Sequence, residues 1–141
     1  MPIKKSRKPR AAERDYSHRL LVDKLGIKAG QLISILGVES AEFLVELAAR
    51  VPEYSRGRLT KDADLIFFSA EATKDLSRLG TLAKAIQPNG AVWVVYPKGQ
   101  KNIREIDVIT AAKSAGLVDN KVCSFSLTHT ALRLCIPVAN R

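Results

Sequence analysis

Polar residues stand where three apolar runs of this chain break. Gly37 and Glu39 close the run from Leu32 to Val38, Ser69 and Glu71 close the run from Ala63, and Lys98 follows the run from Ala91 to Tyr96. A glycine lets backbone N–H groups close around a ligand. Carboxylates accept hydrogen bonds from hydroxyl or ammonium groups, and a lysine supplies a compact positive charge. If the three runs are adjacent strands of one parallel sheet, these residues converge at its carboxyl edge, where such sheets bind ligands. Gly37, Glu39, Ser69, Glu71 and Lys98 are therefore the candidate crevice for a small anionic or zwitterionic ligand, with Lys101 and Arg104 adding positive charge nearby. The competing reading is a set of solvated loop charges that pair weakly.

Bond-breaking chemistry is not visible in the spacing. No Ser-His-Asp, Cys-His, paired-carboxylate or metal-ligand pattern can be assembled, so no catalytic residue and no metal are expected. His18 and His129 lie far apart, one at a helix start and one in a hairpin connection. Cys123 and Cys135 lack metal-ligand spacing and read as buried reduced thiols.

The elements that would carry these residues follow from periodicity. Leu20, Leu21, Val22 and Leu25 predict an amphipathic helix from Asp15 to Leu25. Leu32 to Val38 is a strand apolar on both faces except at Ser34, as a covered parallel strand should be. Phe43, Leu44, Leu47 and Ala48 predict a helix over 41–51, ended by Pro52. Residues 52–62 form a polar loop with room for one short strand or turn, and 63–69 is the second strand. Leu76, Leu79, Leu82, Ala83 and Ile86 predict a helix over 73–86, and Gln87-Pro88-Asn89-Gly90 a turn into the strand 91–96. A helix over 103–115 and a hairpin of strands 117–127 and 131–138 complete the chain.

The 141-residue chain is long enough for one core, and its apolar runs are far shorter than the ~20 residues of a membrane span. The formal charge of +9 is uneven: Lys4, Lys5, Arg7, Lys8, Arg10 and Arg14 outnumber Glu13 by five within the first fourteen residues. The expected organisation is a basic, disordered tail over 1–14 and a single α/β domain over 15–141. The tail reads either as a solubilising arm or as a polyanion contact through Lys4, Lys5, Arg7, Lys8 and Arg10, with nucleic acid as the partner. No secretory apolar segment follows the basic start, so a cytoplasmic location is expected.

Several stretches together resemble a class I S-adenosylmethionine-dependent methyltransferase domain. They are Leu25-Gly26-Ile27-Lys28-Ala29-Gly30 before the first strand, Asp62 to Phe68, Ile86 to Val95, and the terminal hairpin. With Tyr16 to Arg19 and Tyr96-Pro97-Lys98, the chain also resembles a small bacterial family known only as a domain of unknown function. The resemblance implies a Rossmann-like three-layer sandwich of about five strands, mostly parallel with one antiparallel C-terminal strand. It also implies S-adenosylmethionine as the cofactor, but the loop departs from the pattern. Ile35 takes the place of an acid, Gly37 is the first glycine, and Glu39 and Ala41 stand where two more glycines belong. Residues 52–62 are too few for the strand-helix-strand crossover that the family places before its fourth strand.

These departures lead to a truncated domain with no cofactor expected, S-adenosylmethionine being disfavoured, and to a non-enzymatic binding or interaction module. The alternative is a small-molecule or nucleotide-binding protein with a residual S-adenosylmethionine-type site, related to methyltransferases. The predicted strand order is first, second, third, last, penultimate. It leaves the first strand at an edge, so either the 52–62 loop covers that edge or two copies of the chain pair there.

Overall fold

The computed structural model describes residues 20–141. The basic tail, and the start of the predicted helix at Asp15, lie outside the described residues. The chain runs through a short helix α1 (Leu21–Lys24), β1 (Ile33–Leu36), α2 (Ala41–Arg50), β2 (Ser55–Arg56) and β3 (Ala63–Ser69). A 3₁₀ segment (Thr73–Arg78) continues into α3 (Leu79–Ala85), followed by β4 (Ile86–Pro97), α4 (Glu105–Ser114), β5 (Val118–Ser124) and β6 (His129–Cys135).

The six strands form one sheet in the order β2-β1-β3-β4-β6-β5. β1, β2, β3 and β4 are mutually parallel, and β6 runs antiparallel to both of its neighbours. The five strands expected from the sequence therefore take the expected order, with β2 as a sixth. β2 pairs with β1 through Ser34↔Ser55 and Ile35↔Arg56, so the polar loop covers the edge that the sequence left open.

Two apolar cores sandwich the sheet. On one face Phe43 and Leu47 of α2, with Val22 and Leu25 around α1, pack on Ile33, Ile35, Phe67 and Trp93. On the other, Leu76, Leu79, Leu82 and Val108 pack on Ile66, Phe68, Val92 and Val94. Strands buried on both faces are what a parallel sheet with helices on each side requires. Trp93 is fully buried, as its place in the most apolar strand predicts, and stacks parallel to Phe67 with ring centroids 6.3 Å apart.

Three boundaries differ from the sequence reading. Residues 73–78 wind as 3₁₀ rather than α, and at their start the carboxylate of Asp75 accepts the N–H groups of Glu71 and Ala72. Gln87 to Gly90 is not a separate turn before the strand; it is an excursion within β4, whose register jumps from Ala63↔Ile86 to Leu65↔Ala91. Asp64 fixes that irregularity by accepting the backbone N–H of Leu32 at 2.7 Å and the side-chain amide of Gln87. Only glycine fits at position 90, since a Cβ there would stand 2.8 Å from the Ala63 carbonyl oxygen. Finally, His129 is not in the hairpin connection but begins β6.

Candidate functional site

Gly37 ends β1 with a φ of +82°, a left-handed conformation that glycine adopts without steric cost. A Cβ at this position would meet the Cβ of Ser69 at 3.3 Å, so glycine also lets β1 and β3 end side by side. Val38 and Glu39 carry the chain to Ser40, whose hydroxyl accepts the N–H of Phe43 and caps α2. This strand, turn and helix start form one wall of a crevice of about 580 Å³.

The opposite wall comes from the hairpin. β6 lies antiparallel beside β4, and the pairing Pro97↔His129 brings the start of β6 to the carboxyl end of the parallel strands. Phe125, Ser126, Thr128 and His129 therefore line the same crevice as Gly37, Glu39, Ser69 and Glu71. Phe125 also packs on Phe43 with ring centroids 5.1 Å apart, and Phe43 on Phe67 at 5.2 Å. Aromatic pairs of this kind add about 0.5–1.5 kcal/mol each beyond their burial, so the hairpin wall is fixed to α2 and the sheet.

A chain of polar contacts runs across the crevice. Nε2 of His129 lies 3.1 Å from the Glu71 carboxylate, and its Nδ1 lies 2.8 Å from the Thr128 hydroxyl. Ser69 donates to the same Glu71 oxygen at 3.4 Å. The Ser126 hydroxyl accepts the N–H groups of Thr128 and His129, which sets the hairpin tip. The side-chain amide of Asn102 donates to the backbone carbonyl of Glu71 and steadies the loop after β3.

Four of the five crevice residues named from the sequence thus meet in one cavity, and the fifth does not. Lys98 is diverted: its Nζ donates to the Ser124 hydroxyl at 2.7 Å and its backbone N–H to the Thr128 carbonyl, so it braces the hairpin. Arg104 pairs with Asp107. The Asp107 carboxyl is held below the usual carboxylate range, first by the Arg104 backbone N–H and then by its guanidinium. Ser126, Thr128 and His129 were not foreseen, although a polar Ser-Leu-Thr-His-Thr stretch inside an alternating hairpin was the available signal. The candidate polyanion-binding residues Lys4, Lys5, Arg7, Lys8 and Arg10 lie outside the described residues.

Of the two cysteines, Cys135 is buried as expected and Cys123 only half-buried, and the two are not joined in a disulfide; burial pushes the Cys123 thiol up. Among the described residues, no group of three or more His, Cys, Asp or Glu side chains is placed to hold a metal ion. Nor is any helix among them long and apolar enough to cross a membrane. A second cavity of about 570 Å³ lies between the Thr73–Arg78 turn, α3 and α4; it shares no lining residue with the crevice, and its lining includes small residues such as Gly80 and Ala111.

The residues fit an adenosylmethionine-type cofactor only in part. Gly37 and Ser69 leave room for a small polar group beneath the start of α2. In contrast, Ile35 is fully buried in the core and offers no acid, Glu39 brings a carboxylate to the loop, and β2 ends on Arg56 where a ribose-binding carboxylate would be needed.

No family model and no curated protein match this chain. Solved structures do. It is similar to an S-adenosylmethionine-dependent methyltransferase from Aquifex aeolicus, at 14% identity and a TM-score of 0.63 over 83% of this chain and 88% of that one. A second similar structure is magnesium protoporphyrin IX methyltransferase from Synechocystis PCC 6803 with bound S-adenosylmethionine, at 13% identity and a TM-score of 0.61 over 83% of this chain and 74% of that one. A third is a TehB-like S-adenosylmethionine-dependent methyltransferase from Corynebacterium glutamicum, at 14% identity and a TM-score of 0.56 over 83% and 85% of the two chains. With its six-stranded, mostly parallel sheet and reversed β6, the chain has the methyltransferase-like Rossmann fold in a form shortened between β1 and β3.

Proposed function

We propose that this chain is a small-molecule-binding protein whose ligand, a nucleoside-type compound, occupies the crevice at the carboxyl ends of β1 and β3. The observation that carries the reading is the convergence of Gly37, Ser69, Glu71 and His129 from three separate stretches of sequence on one cavity beneath the capped start of α2. Open parallel sheets bind ligands at this edge, and the N-terminal N–H groups of a helix attract anionic or electron-rich groups there. A similar fold that binds S-adenosylmethionine in the Synechocystis enzyme supports an adenosyl compound as the first to try. Glu39 and Glu71 favour a ligand that presents hydroxyl or cationic groups to them. Methyl transfer is not part of the proposal.

Calorimetric titration of the full chain with S-adenosylmethionine and with adenosine tests it. Saturable one-site heats, lost in Gly37→Val, are expected for at least one of the two. Because a ligand of the folded state must raise stability, neither heat nor a rise in melting temperature at millimolar concentrations of either compound would end the reading.

A second reading concerns the tail. Its concentration of positive charge over residues 4–10 supports contact with nucleic acid through released counterions. Binding of a random-sequence RNA should then weaken steeply with salt, and deleting residues 1–14 should flatten that slope. An unchanged slope would dismiss it.

A further inference from the structure

The shortened edge of the sheet places two arginines where nucleotide-binding sheets choose between a free and a phosphorylated ribose. β2 is only two residues long and ends at Arg56, which lies beside Ile35 of β1, two residues before Gly37 opens the crevice. Gly57 follows with a φ of +76° and donates its N–H to the Ile35 carbonyl at 2.7 Å, so the backbone of this tip is tied to β1. Arg58 comes next, and the Thr60 N–H returns to the Ser34 hydroxyl. The tip is therefore a fixed reversal flanked by two arginines, both of them exposed.

Strand alternation sets the direction of the first arginine. Side-by-side residues of a sheet share a face. Ser55 lies beside Ser34, and Arg56 beside Ile35, whose side chain belongs to the core beneath α2. Arg56 thus leaves the sheet on the face whose helix starts at the crevice. Between Glu53 and Asp62 the chain carries Arg56, Arg58 and Lys61 and no carboxylate. In doubly wound sheets the group after the second strand meets the ribose: a carboxylate accepts its hydroxyls, whereas an arginine takes a phosphate on it. A guanidinium presents a planar fork of donors that matches a phosphate and does not discriminate for a neutral diol.

We propose that Arg56 and Arg58, which stand on the strand next to β1 and outside the cavity lining itself, bind a phosphate on the ribose of the crevice ligand, so that this ligand is a nucleotide rather than a nucleoside with free hydroxyls. This rests on the crevice reading above and narrows it. The charge layout agrees along the sheet edge. β2 and β3 flank β1, so the arginine tip and the Ser69–Glu71 end stand about 10 Å apart, two strand spacings. The phosphate is then kept away from the Glu71 carboxylate, and the rest of the ligand lies over Gly37.

The test compares adenosine, adenosine 2′-monophosphate and adenosine 3′-monophosphate on the full chain by calorimetry at two salt concentrations. Three variants are used: Arg56→Ala with Arg58→Ala, Gly37→Val, and Lys113→Ala as a control at an exposed lysine of α4. At least one monophosphate is expected to bind ten times or more tightly than adenosine, with that gain lost in the double arginine variant and kept in the lysine control. Gly37→Val should weaken all three ligands. Equal affinity for adenosine and both monophosphates would overturn the phosphate end while leaving the crevice standing, as would a gain that survives loss of both arginines. A gain lost equally in Lys113→Ala would reduce it to general attraction by a basic protein, and overturn it too. Binding of none of the three, with S-adenosylmethionine also silent, would remove the crevice reading itself. Both arginines are exposed at the sheet edge, so an unchanged melting temperature of the double variant certifies that it folds.

Discussion

His129 and Glu71, fifty-eight residues apart in sequence, meet at 3.1 Å across the mouth of the crevice. The antiparallel placement of β6 next to β4 makes this contact, because it turns the hairpin tip and the start of β6 toward the carboxyl ends of strands that run the other way. The pair is partly open to solvent, so it adds little to stability, and its effect should appear in binding. Glu71→Gln and His129→Ala are expected to weaken the crevice ligand by about tenfold, equivalent to ~1.4 kcal/mol, while shifting unfolding free energy by less than about 1 kcal/mol. Calorimetry beside urea unfolding checks both halves.

Gly37→Val should disturb both fold and site. A β-branched residue at a φ of +82° is strained, and its Cβ would press on Ser69. A loss of about 2 kcal/mol in unfolding free energy is expected from chirality and contact together, read from the shift in denaturant midpoint.

Asp64 joins three elements through one carboxylate: the start of β1 by the Leu32 N–H, β3 by its own backbone, and the excursion in β4 by Gln87. Asp64→Ala leaves those donors without their charged acceptor. A destabilisation of about 1–3 kcal/mol is expected, with hydrogen exchange accelerating first at Leu32.

Tyr96 sets an alkaline limit. Burial first, and then the nearby Glu105 carboxylate, push its phenol up to about 12 from the usual 10. The folded state holds that proton more tightly than the unfolded chain does. Its contribution to stability is therefore complete below pH 10 and is lost as pH rises to about 12. Melting temperatures of the native chain should fall more steeply than those of Tyr96→Phe across that interval, and parallel curves would contradict the assignment.

The fold was more legible than the site, for physical reasons. Apolar runs such as Ala91 to Tyr96 and periodic helices such as 41–50 announce themselves, because burial demands the pattern. Their order around a parallel sheet then left few topologies. The details that failed were mostly those decided by contacts between distant residues. Asp64 held the Gln87–Gly90 excursion inside a strand. Lys98 found Ser124 instead of the crevice. Gly37, Glu39, Ser69 and Glu71 could be named because strand ends share an edge in any parallel sheet. His129 is harder to name, since the polar stretch that carries it reaches the crevice only through the register of β6 against β4.

The central claim, that a nucleoside-type ligand occupies the crevice, is tested most directly by amide chemical-shift titration of the full chain with adenosine and with S-adenosylmethionine. Saturable shifts at Gly37, Glu39, Ser69 and Ser126 with one common dissociation constant are expected. Shifts confined to the groove between Thr73–Arg78 and α4, or no shifts at millimolar concentrations of either compound, would contradict it.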